Sequence, residues 1–552
     1  MRTMFFLAAC AAAGSVSAAT FKVGDTVQDT CDFATIQEAI DAAAANGAVE
    51  DQILVANTGS YADQVLWIGD ASLVIEGGYD SCQHLSPAPA ADIGGNGVDT
   101  VLRIAPVEAT KQYVTLYGLR LHGGGTFGVY GTSGGGIYVT NNVTLTIGNT
   151  SVDGNAAASG GGIHIDGDIG APVVELDAGT QIHDNRAQYH GGGVYLEAGQ
   201  LRIEADEVRI DHNRADDAGG GIASFGGAVF VGSFGTVAAR YDATGASVSN
   251  NTAGAIGGGI FLSGSFAALI ANELIVDSNI SEVTGAGIAA IANATVSMAR
   301  DYPGGLVLQC PSGRQCSRIS NNRLGAVHGT VGGAITLKSG AFANIAQTVV
   351  RDNVALDGSV AFVDSATLFF EGVLATGNQS FDMPNETGAM IRTQFLDAAK
   401  KADVRIAYST FAGNLRQTST QNVAAIDVIA QQNTQLSVYS SAFQDTYYPI
   451  TTYGAYTDDC VVNGPGGKDA YGTHTRFAAP ATSLFNNAAA GDYRLRRESP
   501  LNDYCDASAF VASFRDLTLT PRCHDDPGKG NGYGVCDAGA YESDQIFGDG
   551  LQ

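Results

Sequence analysis

Residues 152–163 read Val-Asp-Gly-Asn-Ala-Ala-Ala-Ser-Gly-Gly-Gly-Ile: an apolar residue, a polar pair, an asparagine, a short turn, then a glycine run closed by a β-branched residue. The pattern returns at Ile182–Val194, Ile210–Ile222 and Val248–Ile260. It recurs with eroded glycines at Val276–Ile288 and Val350–Val360, and with a longer turn at Ile319–Ile335. Asparagines 155, 185, 213, 251 and 279 step by 30, 28, 38 and 28 residues. Self-similarity at such a period is the signature of stacked structural repeats, and it outranks any local reading of helix or strand.

Each part of the repeat has a physical role. Short alternating runs such as Val143–Ile147 turn one face inward. Glycine permits tight corners at positive φ and close approach of a neighbouring coil. Asparagine satisfies turn backbone groups and tolerates the left-handed conformation, and asparagines stacked from coil to coil can bond one another in a ladder. Strand and turn alternating every ~25–31 residues describe an all-β, parallel β-helix solenoid.

Apolar-x-x-Asn followed by Gly-Gly-(Gly/Ala)-Ile resembles the repeats of polymorphic outer-membrane proteins and related right-handed β-helices of the pectin-lyase-like superfamily. Phe411–Asn414 (FAGN) matches the aromatic form of that motif, and Gly332–Ile335 (GGAI) its glycine half. The resemblance covers residues 130 to 415 and implies architecture; a fold hosts many activities. FATIQEAI at Phe33–Ile40, then GSYADQV and VIEGGY, is similar to the entry segment of such proteins, where a helix covers the open end of the solenoid. Thr35 to Glu38 forms a capping box, with Ile36, Ala39, Ile40 and Ala43 on one face of a helix ending near Asn46-Gly47. Asp537–Glu542 (DAGAYE) resembles the closing motif of many secreted bacterial β-helices, with Ala538 where isoleucine is usual.

The expected organisation is a secretory signal peptide at 1–18, an N-terminal cap at 19–97, the β-helix at 98–455, and a C-terminal cap and tail at 456–552, with Met383–Lys401 as an interruption. The leader has one positive charge, a short apolar run and a small-residue end; a lipobox reading that would lipidate Cys10 fits its early position less well. No later run approaches the ~18 apolar residues of a membrane helix, and no stretch reads as the amphipathic strands of a membrane barrel. The protein is therefore expected outside the cell, as a monomer. Eight further cysteines in an oxidising compartment imply disulfides: Cys31–Cys82, Cys310–Cys316, and Cys460, Cys505, Cys523 and Cys536 pairing among themselves. With 56 acidic against 29 basic residues, nucleic acid is excluded as a partner and polyanions are repelled unless a cation bridges them.

Stacking the repeats in register gathers one polar grid. Asp153, His183 and Asp211 stand two before the asparagine. Asp184 and His212 stand one before it, Arg186 and Arg214 one after, and Asp216, Asp217 and His190 lie on the adjoining turn. With coils ~4.8 Å apart these groups suit a metal, sugar or acid/base site. They equally suit a solvated edge whose charges pair between coils, and the balance favours that edge. No catalytic residue transfers from the family. Gln444-Asp-Thr446 lacks its esterase partner motif, since the one Ile-Phe-Gly lies at 546–548. Asp216-Asp217 lacks the other polygalacturonase segments. Asp153, Asp184 and Asp211 with Arg186 or Arg214 imitate a calcium-dependent lyase without specificity. The expected function is non-enzymatic adhesion or glycan and surface binding, with a polysaccharide lyase or glycosidase as the alternative. No cofactor is implied, calcium being the one ion the acids would suit.

Overall fold

In the computed structural model, residues 17–542 are described, apart from 48–49, 108–109, 127–132, 168–169, 206, 233–244, 300–316, 326–330, 383–386, 396–399, 419–421, 425, 445–449, 464–473, 475, 478–483, 507–514, 519–520 and 526–529. The expected signal segment with Cys10, the Cys310–Cys316 pair and the Ile546–Leu551 tail fall outside them. One turn of the chain shows the plan. Strand Ile163–Asp166 lies on a first face and Val173–Leu176 on a second; after a corner, Gln181–His183 forms a third. Asn185 turns the chain into the two-residue strand Arg186–Ala187, and Gly191–Gly193 returns it to the first face at Val194. Strands of successive coils pair in parallel, so that Ile163 faces Val194, Val174 faces Leu201 and Ile182 faces Ile210; among the described strands Leu415–Gln417 with Asn422–Ala424 and Phe485–Asn487 with Asp492–Leu495 pair antiparallel. The first face is a 13-stranded sheet and the short strands a 10-stranded one; the second and third faces join because Thr434–Phe443 runs through both. The molecule is a parallel β-helix.

The interior follows from period two. Ile137, Ile163, Val194, Ile222, Ile260, Ile288 and Ile335 stack along the inside of the first face, all fully buried. Matching columns such as Leu145, Val174, Leu201, Val229 and Leu269 line the second. A branched residue removed from such a column costs about 2–5 kcal/mol.

The asparagines form a continuous buried ladder of nine, from Asn155 through 185, 213, 251, 279, 322, 353 and 378 to Asn414. In each rung the backbone N–H and Nδ2 both donate to the next Oδ1; for Asn185 and Asn213 the distances are 3.1 and 3.0 Å. The left-handed residue is not the asparagine but the one before it: Asp184, His212, Asn250, Ser278, Asn321 and Asp352 all have φ near +55°, and glycines 154, 377 and 413 take the same region. The glycine run packs against this ladder. A Cβ on Gly193 would lie 2.7 Å from the Gly221 carbonyl oxygen and 2.9 Å from Asn213 Nδ2, so coil spacing itself requires glycine there.

Helix Ile36–Asn46 starts on the reciprocal Thr35–Glu38 capping box and buries Ile36, Ala39, Ile40 and Ala43. Parallel stacking begins earlier than residue 98. Thr20–Val23 pairs with Asp51–Ala56, which pairs with Leu73–Tyr79, which in turn pairs with Gln112–Tyr117. It also runs past 455, since Ala455–Asn463 pairs with Thr434–Phe443. The stretch 383–401 is not a simple interruption, because Ile391–Gln394 is a strand of the first face. These boundaries were blurred in the sequence because the outer coils keep the alternating strands but lose the asparagine and glycines.

Three disulfides lie in the described residues: Cys31–Cys82, Cys460–Cys505 and Cys523–Cys536. The C-terminal segment leans along the flank of the last coils. Phe485, Tyr493, Leu501, Tyr504 and Tyr541 share a second apolar cluster with Val349, Leu374, Ala407 and Ala442. Ala540 N donates to Thr410 Oγ1, Gly539 N to the Ser440 carbonyl and Gln347 Nε2 to the Arg515 carbonyl, while Arg522 stacks 4.5 Å over Tyr408.

Candidate functional site

Two polar regions arise from this stacking, and they lie on different faces. The first holds most of the residues gathered by sequence. Register sets Asp153 beside His183 and His183 beside Asp211 on the outside of the third face, with His122 one coil earlier. Their partners are one another. Arg120 holds Asp153 through Nη2–Oδ1 at 2.7 Å and Nε–Oδ2 at 3.0 Å, and Ser151 donates to the same carboxylate. Burial pushes the Asp153 carboxyl up, but Arg120 and Ser151 outweigh it and hold it below its ordinary value. His183 Nδ1 lies 2.7 Å from Asp184, and His212 Nδ1 3.6 Å from Asp211. Arg186 and Arg214 both reach Asp216, at 3.2 and 3.1 Å. This is a paired, largely solvated edge, and exposed pairs of this kind contribute ~0–1 kcal/mol each.

Asp217 and His190 part company with that edge. His190 belongs to a column of single bridges just ahead of the glycine run, where His190, Ala218, Ile256, Thr284, Val331 and Asp357 stack in parallel, and Asp217 lies 3.7 Å from the His190 ring. This column folds over the outside of the first face and packs on it, Ala218 sharing a small apolar cluster with Ala223, Phe261 and Ala289. Beneath it runs the residue that follows each returning inward position, and Ala223, Ala289 and Thr336 there are fully buried. Strand pairing runs Trp67, Arg103, Tyr138, His164, Tyr195, Ala223 and Phe261 in one unbroken row. The row continues through Ala289, Thr336, Phe362, Arg392 and Ile429 to Thr451. The signal was present in the sequence as Gly-Gly-(Gly/Ala)-Ile-x. It was missed because the repeats were aligned on the asparagine side of the glycines.

Aromatic contacts organise the N-terminal half of this row. Arg103 lies 4.2 Å over the Tyr138 ring; His164 meets Tyr138 and Tyr195 edge-on at 5.3 and 4.8 Å; His190 packs 4.7 Å from Phe225. Burial, helped by Asp166, pushes the Tyr138 hydroxyl up to about 12, and burial pushes the His190 imidazole below its ordinary value. Trp67, the chain's single tryptophan, stands 57% exposed at the start of the row, its backbone clamped to the capping helix by both ends of the Gln37 amide.

At the C-terminal end of the first face lies a cavity of about 680 Å³ lined by Asp357, Phe362, Arg392, Gln394, Gln431 and Tyr453, among others. Asp357 is buried against the Arg392 guanidinium and accepts N–H bonds from Gly358 and Ala389 at 3.0 and 2.9 Å. Burial nevertheless pushes its carboxyl up. Asp357 is the one carboxylate among the described lining residues. The described lining of aromatic, amide and hydroxyl groups suits the apolar faces and hydroxyl edges of sugar rings. No known protein family matches this chain, and no curated protein does.

Proposed function

We propose that this protein binds a glycan in the cavity at the C-terminal end of the first face and acts in adhesion or surface attachment outside the cell, without turnover. The observation that carries the reading is that cavity of about 680 Å³, lined by aromatic, amide and hydroxyl groups that include the exposed Tyr453. The excess of acidic residues favours a neutral glycan over a polyanion. Three disulfides support an oxidising compartment, and the repeats resemble those of pectin-lyase-like β-helices of the polymorphic outer-membrane type.

The test is retention on a polysaccharide panel, with reducing ends and 235 nm absorbance followed in parallel. Tyr453 is 62% exposed, so Tyr453→Ala leaves the fold intact. We expect that change to weaken retention about fivefold, the value of ~1 kcal/mol of aromatic contact. New reducing ends or unsaturated products would make the protein a glycosidase or lyase, and retention on no glycan would remove the binding reading altogether.

A further inference from the structure

The strand alternation of the first face also brings three metal-type donors together near its N-terminal end. His164 and Asp166 are two apart on strand Ile163–Asp166 and so point outward together, and Glu197 follows Val194–Leu196 in the next coil. One donor atom from each lies within 4.8 Å of the other two. His164 is 4% exposed, and neither ring nitrogen has a hydrogen-bond partner; Nε2 faces Glu197 Oε2 at 3.6 Å, beyond hydrogen-bond reach. A buried imidazole with both nitrogens unsatisfied carries an uncompensated cost unless something binds it.

We propose that His164, Asp166 and Glu197 form a three-ligand site for a divalent transition-metal ion of the zinc class. One neutral imidazole and two carboxylates leave no net charge once a divalent ion is seated, which suits a half-buried site. Three protein ligands leave a fourth position open on the exposed Glu197 side. A tetrahedral set at ~2.1 Å bonds needs donors about 3.4 Å apart. The His164–Glu197 separation is already close to this, and Glu197, with a side chain 59% exposed, is free to rotate the remainder. The outer partner is also in place, because Tyr138 donates its hydroxyl to Asp166 Oδ2 at 2.5 Å and fixes that carboxylate. An imidazole in the set distinguishes the site from the all-oxygen cage that calcium prefers.

The experiment is equilibrium dialysis of the full chain against Zn²⁺, with Ca²⁺ as competitor, no glycan present, and metal content read directly. We expect one equivalent of Zn²⁺ that chelator removes and millimolar Ca²⁺ does not. Glu197→Gln should weaken binding at least about tenfold and Tyr138→Phe about tenfold. His183→Gln, on the paired edge of the third face, should leave it unchanged. Co²⁺ in place of Zn²⁺ should give visible bands that Glu197→Gln alters. Absence of stoichiometric Zn²⁺, displacement by Ca²⁺, or equal affinity in Glu197→Gln would overturn the assignment. Because no glycan enters the titration, such a result leaves the cavity's binding role standing.

Discussion

Each ladder asparagine has a side chain and backbone that are fully engaged. Asn213 accepts two bonds from Asn185, donates two to Asn251 and gives its second Nδ2 proton to the Ile182 carbonyl in the coil before. No other residue offers an acceptor and two donors at that reach, and aspartate would set carboxylates in a buried column. Asn213→Ala leaves the Asn185 backbone N–H and one of its Nδ2 protons without an acceptor and removes the Nδ2 donor to the Ile182 carbonyl, while the Asn251 oxygen keeps the backbone N–H of residue 213. Buried groups left so cost ~1–3 kcal/mol each, so the change should destabilise the neighbouring coils by roughly 3 kcal/mol or more. Hydrogen exchange across residues 180–260 is the measure to use, since a solenoid need not unfold in one step. Asn414→Ala, at the end of the ladder, should cost less; equal protection loss at both positions would contradict the ladder as a cooperative column.

At the scale of the element, the C-terminal flank carries a pH-sensitive contact. Glu542 accepts N–H bonds from His524 and Asp537 at 3.0 and 3.3 Å while packed out of water. Burial, with the Asp537 charge beside it, raises its carboxyl from 4.5 to about 8. The folded flank thus keeps a proton that the unfolded chain releases. Its contribution to stability is therefore full below pH 4.5 and declines as the pH rises towards 8. Proteolytic nicking or amide exchange over residues 515–542 should increase across that interval, and Glu542→Gln should flatten the dependence. A slope unchanged in Glu542→Gln would assign the effect to another group. How far such elements were legible in the sequence depended on whether their cause was local. The Thr35–Glu38 box, the asparagine spacing and the inward columns are written within a few residues, and they appeared in the structure where the sequence put them. The outer row of the first face was not read because it joins residues ~28 apart on one side of the glycines while the column that covers it comes from the other side. The flank was not read because apolar residues such as Leu501 and Tyr541 carry no period that says which coil they cover.

At the scale of the whole molecule, each coil touches little beyond its two neighbours, so stability is close to a sum over coils and interfaces. The exception is the flank, whose bonds reach back 130 residues from Ala540 to Thr410 and 168 from Arg515 to Gln347. A chain ended after residue 463 should expose Leu374, Ala407 and Ala442. It should lose amide protection over residues 340–463 while keeping it over residues 140–290. Uniform loss, or none, would show that the flank does not serve the last coils specifically.

That same flank decides how the protein would bear a pull on its two ends. Coils linked only to their neighbours peel one at a time, and a coil of about 28 residues pays out about 10 nm of extended chain as it goes. A tether joined to the C-terminus meets the flank first. Its bonds to Thr410, Ser440 and Gln347, and the stacked Arg522, are spread over several coils and must rupture together before any of those coils can start to unwind. The force trace would open with one high peak and settle into lower, evenly spaced ones: a latch in front of a spring.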